Sequence, residues 1–222
     1  MIGAAPDWGV YLVTDTAQCG GPQAVARTVV AARSAGVGAV QLRDPDANTR
    51  ELAALGRALL AALSGAGIPL IVNDRVDVAL AIGADGAHVG QRDLDPVDAR
   101  RLLGPDRHLG LSVETVDQAR AAGRLPPGTV NLLGVGPIRA TASKPDAAPA
   151  TGWDGFARIC AATSIPCVAI GRVTAADAGQ VRAAGGVGMA VISAICGQPD
   201  PAEATRRLRR AWRDAAGETV ER

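Results

Sequence analysis

Short, uniformly apolar runs recur along the chain at residues 10–13, 37–43, 70–72, 87–89, 109–113, 130–135, 167–170 and 188–192. Runs this short and this apolar predict strands covered on both faces, as in a parallel sheet flanked by helices. Between them, apolar residues return every three or four positions behind helix-start signals. Pro22 opens one such stretch, and Asn48 with Glu51 opens another that carries Leu52, Leu55, Leu59 and Leu63. Asp95–Pro96, Thr174 with Asp177, and Asp200–Pro201 with Glu203 repeat the signal. Eight strand-like runs alternate with eight helical ones and leave no gap for another unit. The alternation predicts a single (β/α)₈ TIM barrel over residues 1–222 rather than an open doubly wound sheet. No Gly-x-Gly-x-x-Gly follows the first strand, so a dinucleotide fold lacks its motif.

In such barrels the chemistry gathers at the C-terminal ends of the strands. That rule turns scattered residues into one cluster: Gln41 and Arg43, Asn73 and Asp74, Asp93, Ser112, the polar segment with Thr141, Ser143 and Lys144, then Gly171, Ile192 and Ser193. Asp74 and Asp93 follow neighbouring strands, about 4.8 Å apart, and could share one Mg²⁺ with substrate phosphate oxygens. Arg43 and Lys144 add positive charge at the same rim. Gly171 and Ile192–Ser193 offer backbone N–H groups where barrels of this kind often bind phosphate. One metal-assisted anion site and one backbone anion site suit two phosphorylated small molecules joined between them. The segment 136–152 is long for a connection, which marks it as a working loop. Asp15 reads as a structural ion-pair partner at the rim, His88 as a buried, hydrogen-bonded imidazole, and His108, before the fifth strand, as a residue of the opposite barrel end.

Composition narrows the classes. Hydrophobic residues make up 48 % of the chain but aromatics only 2 %, so the core must be built from Val, Leu, Ile and Ala. A net charge of +1, from 23 basic and 22 acidic residues, gives no support to nucleic-acid or membrane-surface binding. Cys19, Cys160, Cys167 and Cys196 form no Cys-x-x-Cys pair; they read as packing residues of a reduced cytoplasmic chain, without a zinc site. No secretory leader and no membrane span are expected. Oligomeric state is left open, a homo-oligomer included.

An ordered set of short motifs then resembles the thiamine-phosphate synthase family. The set comprises Tyr11-Leu12-Val13-Thr14-Asp15, Gln41-Leu42-Arg43, Asn73-Asp74-Arg75, His88-Val89-Gly90-Gln91-Arg92-Asp93, Gly110-Leu111-Ser112, Gly134-Val135-Gly136-Pro137-Ile138, Lys144-Pro145-Asp146, Ala169-Ile170-Gly171 and Val191-Ile192-Ser193-Ala194-Ile195. The resemblance implies a Mg²⁺-assisted transferase that joins a pyrimidine methylene diphosphate to a thiazole phosphate and releases diphosphate by a dissociative path. It implies Mg²⁺ on Asp74 and Asp93; the pyrimidine diphosphate on Gln41, Arg43, Asn73, Ser112 and Lys144; and the thiazole phosphate on Thr141, Ser143, Gly171, Ile192 and Ser193. Arg43, Ser112 and Lys144 would be the catalytic groups. The chain departs from the pattern where Pro45 and Ala142 replace lysines and where Arg172 replaces a glycine after Gly171. A thiazole tautomerase on the same barrel and a non-catalytic binding barrel are the alternatives.

Overall fold

The computed structural model describes residues 6–140 and 149–217. Eight parallel strands close into a barrel in sequence order, β1 Val10–Val13, β2 Ala39–Leu42, β3 Leu70–Asn73, β4 Gly86–Val89, β5 His108–Val113, β6 Leu132–Val135, β7 Cys167–Ile170 and β8 Gly188–Val191, with β8 pairing back onto β1. The helices are α1 Thr16–Cys19, α2 Pro22–Ser34, α3 Thr49–Leu63, α4 Val76–Ile82, α5 Pro96–Leu103, α6 Val116–Gly123, α7 Gly152–Ala161, α8 Ala178–Ala183 and α9 Pro201–Asp214. A 3₁₀ turn, Ala175–Asp177, leads into α8. Among the described residues, no helix is long and apolar enough to cross a membrane.

Strand alternation separates two cores. Val10, Leu12, Val40, Leu42, Leu70, Val72, Ala87, Val89, Leu109 and Leu133 point outward and pack under the helices. Tyr11, Val13, Ala39, Ile71, Leu132, Val168 and Ala190 point inward and fill the barrel together with Trp8. Side chains two apart share a face of a strand, so the inward rank rises from apolar residues at the floor to Gln41, Asn73 and Ser112 at the mouth.

The floor depends on close backbone contacts. A side chain at Gly38 would collide with the Asp7 carbonyl, one at Gly86 with the His108 carbonyl, and one at Gly188 with the Trp8 carbonyl. Trp8 lies edge-on to Tyr11 at 5.2 Å and 4.6 Å from the His108 ring, closing the bottom.

Several strand boundaries shift by a few residues, and one helix is added. The sixth strand starts at Leu132 rather than residue 130, because the Asn131 side chain accepts from Leu109 N–H at 2.8 Å and from Arg100 at 2.7 Å. The second is shorter than residues 37–43. The one-turn α1 is additional: Asp15 caps it by accepting from Gln18 N–H at 2.8 Å, and none of its residues is buried.

Candidate active site

At the C-terminal ends of the strands lies a cavity of about 170 Å³. Inward-facing positions of the strands and of the loops that follow them build its wall. Gln41, Arg43, Asn73, Asp74, Ser112, Gly171, Ile192 and Ser193, all anticipated from the sequence, line it together. Thr141, Ser143 and Lys144 lie outside the described residues. Asp93 stands on the exposed loop after β4, outside the lining, and its carboxylate accepts the Gly90 N–H at 2.7 Å.

The deep part of the cavity is a pair of side-chain hydrogen bonds. The buried Gln41 amide donates to the Tyr11 hydroxyl at 2.8 Å. Burial raises the phenol's pKa despite that bond, so Tyr11 stays a neutral hydroxyl. On the far wall, His88 Nε2 and Ser112 Oγ are 3.0 Å apart. Two glycines make room for the imidazole: a side chain at Gly110 would collide with His88, and one at Gly134 would come within 3.0 Å of it. His88 is thus the hydrogen-bonded imidazole expected, and it is also part of the wall. Tyr11, His88 and Glu114 line the cavity without having been singled out for it; each occupies an inward position of its strand or of the loop that continues it.

The rim is held by cross-strand ties. The Arg43 N–H donates to Thr14 Oγ1 at 3.0 Å, and that hydroxyl donates to the Arg43 carbonyl at 3.2 Å. The Arg43 guanidinium lies 3.8 Å from Asp15, the structural partner anticipated. Asp74 has left-handed backbone, φ 60°, while its N–H donates to the His88 carbonyl at 2.7 Å. A non-glycine residue there costs roughly 1 kcal/mol or more and is characteristic of functional sites. Gln91 donates to the Ser112 carbonyl at 2.7 Å, anchoring the loop that bears Asp93.

Across the mouth, Gly171 packs on Pro137 with φ 103°, and a Cβ there would approach Pro137 Cα to 2.7 Å. Only glycine fits. Arg172 follows at φ 54°, again left-handed, and lines the cavity. Its carbonyl accepts from Arg139 at 2.9 Å, and Arg139 is clamped by both oxygens of Asp177 at 2.6 and 2.9 Å.

Asp74 and Asp93 follow the hydrogen-bonded neighbours β3 and β4 and offer hard carboxylate oxygens. Among the described residues, no group of three or more His, Cys, Asp and Glu side chains could hold a metal. A donor set of two carboxylates fits Mg²⁺, which takes few protein ligands and completes its shell with water and phosphate oxygens. Such an arrangement can bind and position an anionic ligand at the rim and an uncharged ring in the depth.

Comparisons with known proteins identify the family and match the fold. A family model described as thiamine monophosphate synthase matches residues 10–195. The chain is 48 % identical to thiamine-phosphate synthase of Azorhizobium caulinodans over 91 % of its length and 94 % of the relative's. It is 48 % identical to the Roseiflexus castenholzii protein of that name, covering 90 % of this chain and 86 % of the relative. Thiamine phosphate pyrophosphorylase from Pyrococcus furiosus superposes with a TM-score of 0.83 at 31 % identity, covering 94 % of this chain and 97 % of that one. Motif order, barrel and sequence likeness converge: the chain belongs to the thiamine monophosphate synthase family.

Proposed function

We propose that the protein is a thiamine-phosphate synthase, working in the cytoplasm as one barrel unit over residues 1–222. It condenses 4-amino-2-methyl-5-(diphosphooxymethyl)pyrimidine with a thiazole phosphate, giving thiamine phosphate and diphosphate. The observation that carries the reading is the polar mouth lined by Gln41, Arg43, Asn73, Asp74, Ser112 and Ser193, in a chain 48 % identical to synthases over about nine-tenths of its length.

In the reaction, the bond between the pyrimidine methylene carbon and the diphosphate oxygen breaks, and its electron pair leaves with diphosphate. The thiazole nitrogen then gives its lone pair to that carbon, forming the C–N bond of a thiazolium. No protein nucleophile or base is required, so positioning and charge stabilisation supply the rate. Gln41, Asn73 and Ser112 orient the pyrimidine. Arg43 and Lys144 offset charge that grows on the departing diphosphate. Thr141 and Ser143, with Gly171, Ile192 and Ser193, hold the thiazole phosphate. Asp74 and Asp93 would hold Mg²⁺, which when bound supplies further neutralisation of the diphosphate.

The test is product formation from both substrates with and without Mg²⁺, followed by chromatography of thiamine phosphate. The expected result is Mg²⁺-dependent product, with Asp74→Ala lowering kcat/KM by about 100-fold or more. Wild-type protein that makes no product with Mg²⁺ present would refute the synthase reading. Isomerisation of carboxythiazole phosphate under the same conditions would point to the tautomerase instead.

A further inference from the structure

Four acidic or strongly basic side chains line the cavity: Arg43, Asp74, Glu114 and Arg172. The synthase reading gives Arg43 and Asp74 to the diphosphate and its metal, and Arg172 stands next to Gly171 on the thiazole-phosphate side. Glu114 has no part in either. A carboxylate repels phosphates, and like charges set side by side are costly. An acid in a mouth for two anions therefore calls for a separate role.

Its place on the ring suggests one. β5 turns Leu109, Leu111 and Val113 outward under the helices, so Gly110, Ser112 and Glu114 face the barrel axis. The strands run in sequence order round the barrel. Arg43 follows β2 and Asp74 follows β3, whereas Arg172 follows β7 and Ser193 follows β8. Glu114 follows β5, two strands on from Asp74 and two before Arg172. It thus stands midway round the wall between the two anion ends, where the pyrimidine and the thiazole must meet.

The backbone there is held and the charge is left open. The Glu114 N–H donates to Gln118 Oε1 at 2.7 Å, and the same oxygen accepts from the Thr115 N–H at 3.2 Å, at the start of α6. The neighbouring strand sets no side chain against it: Ser112 pairs with Gly134, and Gly136 is the next inward position. A Cβ at Gly136 would collide with the Ile170 carbonyl, so that position has to be glycine. The Glu114 side chain is half-buried. Among the described residues, its carboxylate has no hydrogen-bond or ion-pair partner.

We propose that Glu114 is a specificity-determining residue that selects positive charge at the point where the two substrates join. When the C–O bond to diphosphate breaks, the pyrimidine methylene carbon is left positive. When the thiazole nitrogen gives its lone pair, that charge passes to the thiazolium ring of the product. The Glu114 carboxylate stabilises the charge in both positions; it forms no bond and takes no proton. Neither charge exists before the C–O bond breaks, so the effect falls on kcat rather than on substrate binding. Its part in turnover rests on the synthase reading above; the charge selectivity is measured without turnover.

The experiment compares wild type, Glu114→Gln and Glu114→Asp, each checked by a thermal melt. Calorimetry measures binding of thiamine phosphate and of its deaza analogue, in which an uncharged thiophene replaces the thiazolium. Glu114→Gln should lower the ratio of the two affinities by about fivefold or more, the factor that a contact charge pair gives even in bulk water. Glu114→Asp keeps the charge and should recover most of that ratio. In the synthase assay, Glu114→Gln should lower kcat by about the same factor or more and leave KM for both substrates within about twofold. An unchanged ratio in Glu114→Gln overturns the proposal: equal weakening of both ligands makes Glu114 a shape-giving or lysine-pairing residue, and no weakening makes it a solvated carboxylate. A lowered ratio with unchanged kcat overturns its part in the reaction. Wild type that prefers the charged ligand but makes no product would sink the synthase reading and leave the selectivity standing. Wild type that binds neither ligand overturns both.

Discussion

Arg172 condenses the chemistry of the mouth into one residue. It has left-handed backbone at φ 54° and an exposed side chain that lines the cavity. Its backbone carries strain of roughly 1 kcal/mol that glycine would not carry. Arg172→Gly should therefore stabilise the fold by about 0.5–1 kcal/mol, less the extra chain entropy that glycine brings to the unfolded state. If the guanidinium replaces a lysine lost at Pro45 or Ala142, the same substitution should raise KM for a phosphorylated substrate. Thermal melts and steady-state kinetics on one preparation read both effects; an unchanged KM would make Arg172 a bystander. At this scale the sequence was legible where residue type and strand end coincided, as for Gln41, Asn73, Asp74 and Ser112. Tyr11, His88 and Glu114 were missed as wall residues because type alone says little about them. Alternation along the strand would have found them: each stands an even number of residues from an inward neighbour. Asp93 was the hardest to read, since its exposed loop turns the carboxylate toward Gly90.

Among the elements, the turn after β7 is the most heavily tied. Asp177 accepts two bonds from Arg139 and also takes the Thr174 N–H at 2.8 Å and its hydroxyl at 2.9 Å. One buried carboxylate thus caps its own turn and latches the segment after β6 through Arg139, which in turn holds the Arg172 carbonyl. Asp177→Ala should cost about 2 kcal/mol, from the lost cap and the unpaired donors. It should also loosen the Gly171–Arg172 side of the mouth, proposed above to hold the thiazole phosphate, raising KM for that substrate more than it lowers kcat. Denaturant melts and a KM series for each substrate would decide; equal effects on the two substrates would contradict a local latch. The capping signal at Thr174 and Asp177 was visible in the sequence, and so was the box at Asn48 and Glu51. The contact of Asp177 with Arg139 was not, because it spans 38 residues. Nor was α1, a helix too short to show an apolar period.

For the molecule as a whole, the floor is where stability should answer to pH. The His108 ring leans on Trp8, and its Nε2 is sealed without a hydrogen-bond partner among the described residues. Burial, followed by the nearby His88 and Arg100, pushes its pKa down to about 3. A base whose folded pKa lies below its unfolded value makes no difference at neutral pH. As pH falls through about 6.5, the unfolded state takes up the proton first and the fold loses stability, down to the folded pKa. Allowing for the ring's partial exposure, the loss attributable to His108 should be about 2 kcal/mol. His108→Gln should flatten that part of the pH profile, measured by denaturant unfolding between neutral and acid pH; an unaltered slope would assign the loss to other groups. The barrel itself was the most legible feature, since eight apolar runs have few other ways to be covered. What escaped was its closure at the bottom, which depends on backbone contacts at Gly38, Gly86 and Gly188 that no periodicity announces.

That closed floor also governs traffic. Tyr11, Val13 and Val168 form the cavity's inner wall, and Ile71 and Leu132 pack with them in the barrel, so a molecule held against Tyr11 and His88 has no way down. It must pass the rim in both directions. Whatever lies deepest arrives first and departs last, and anything seated at the rim bars its exit: the pocket works as a stack, not as a corridor.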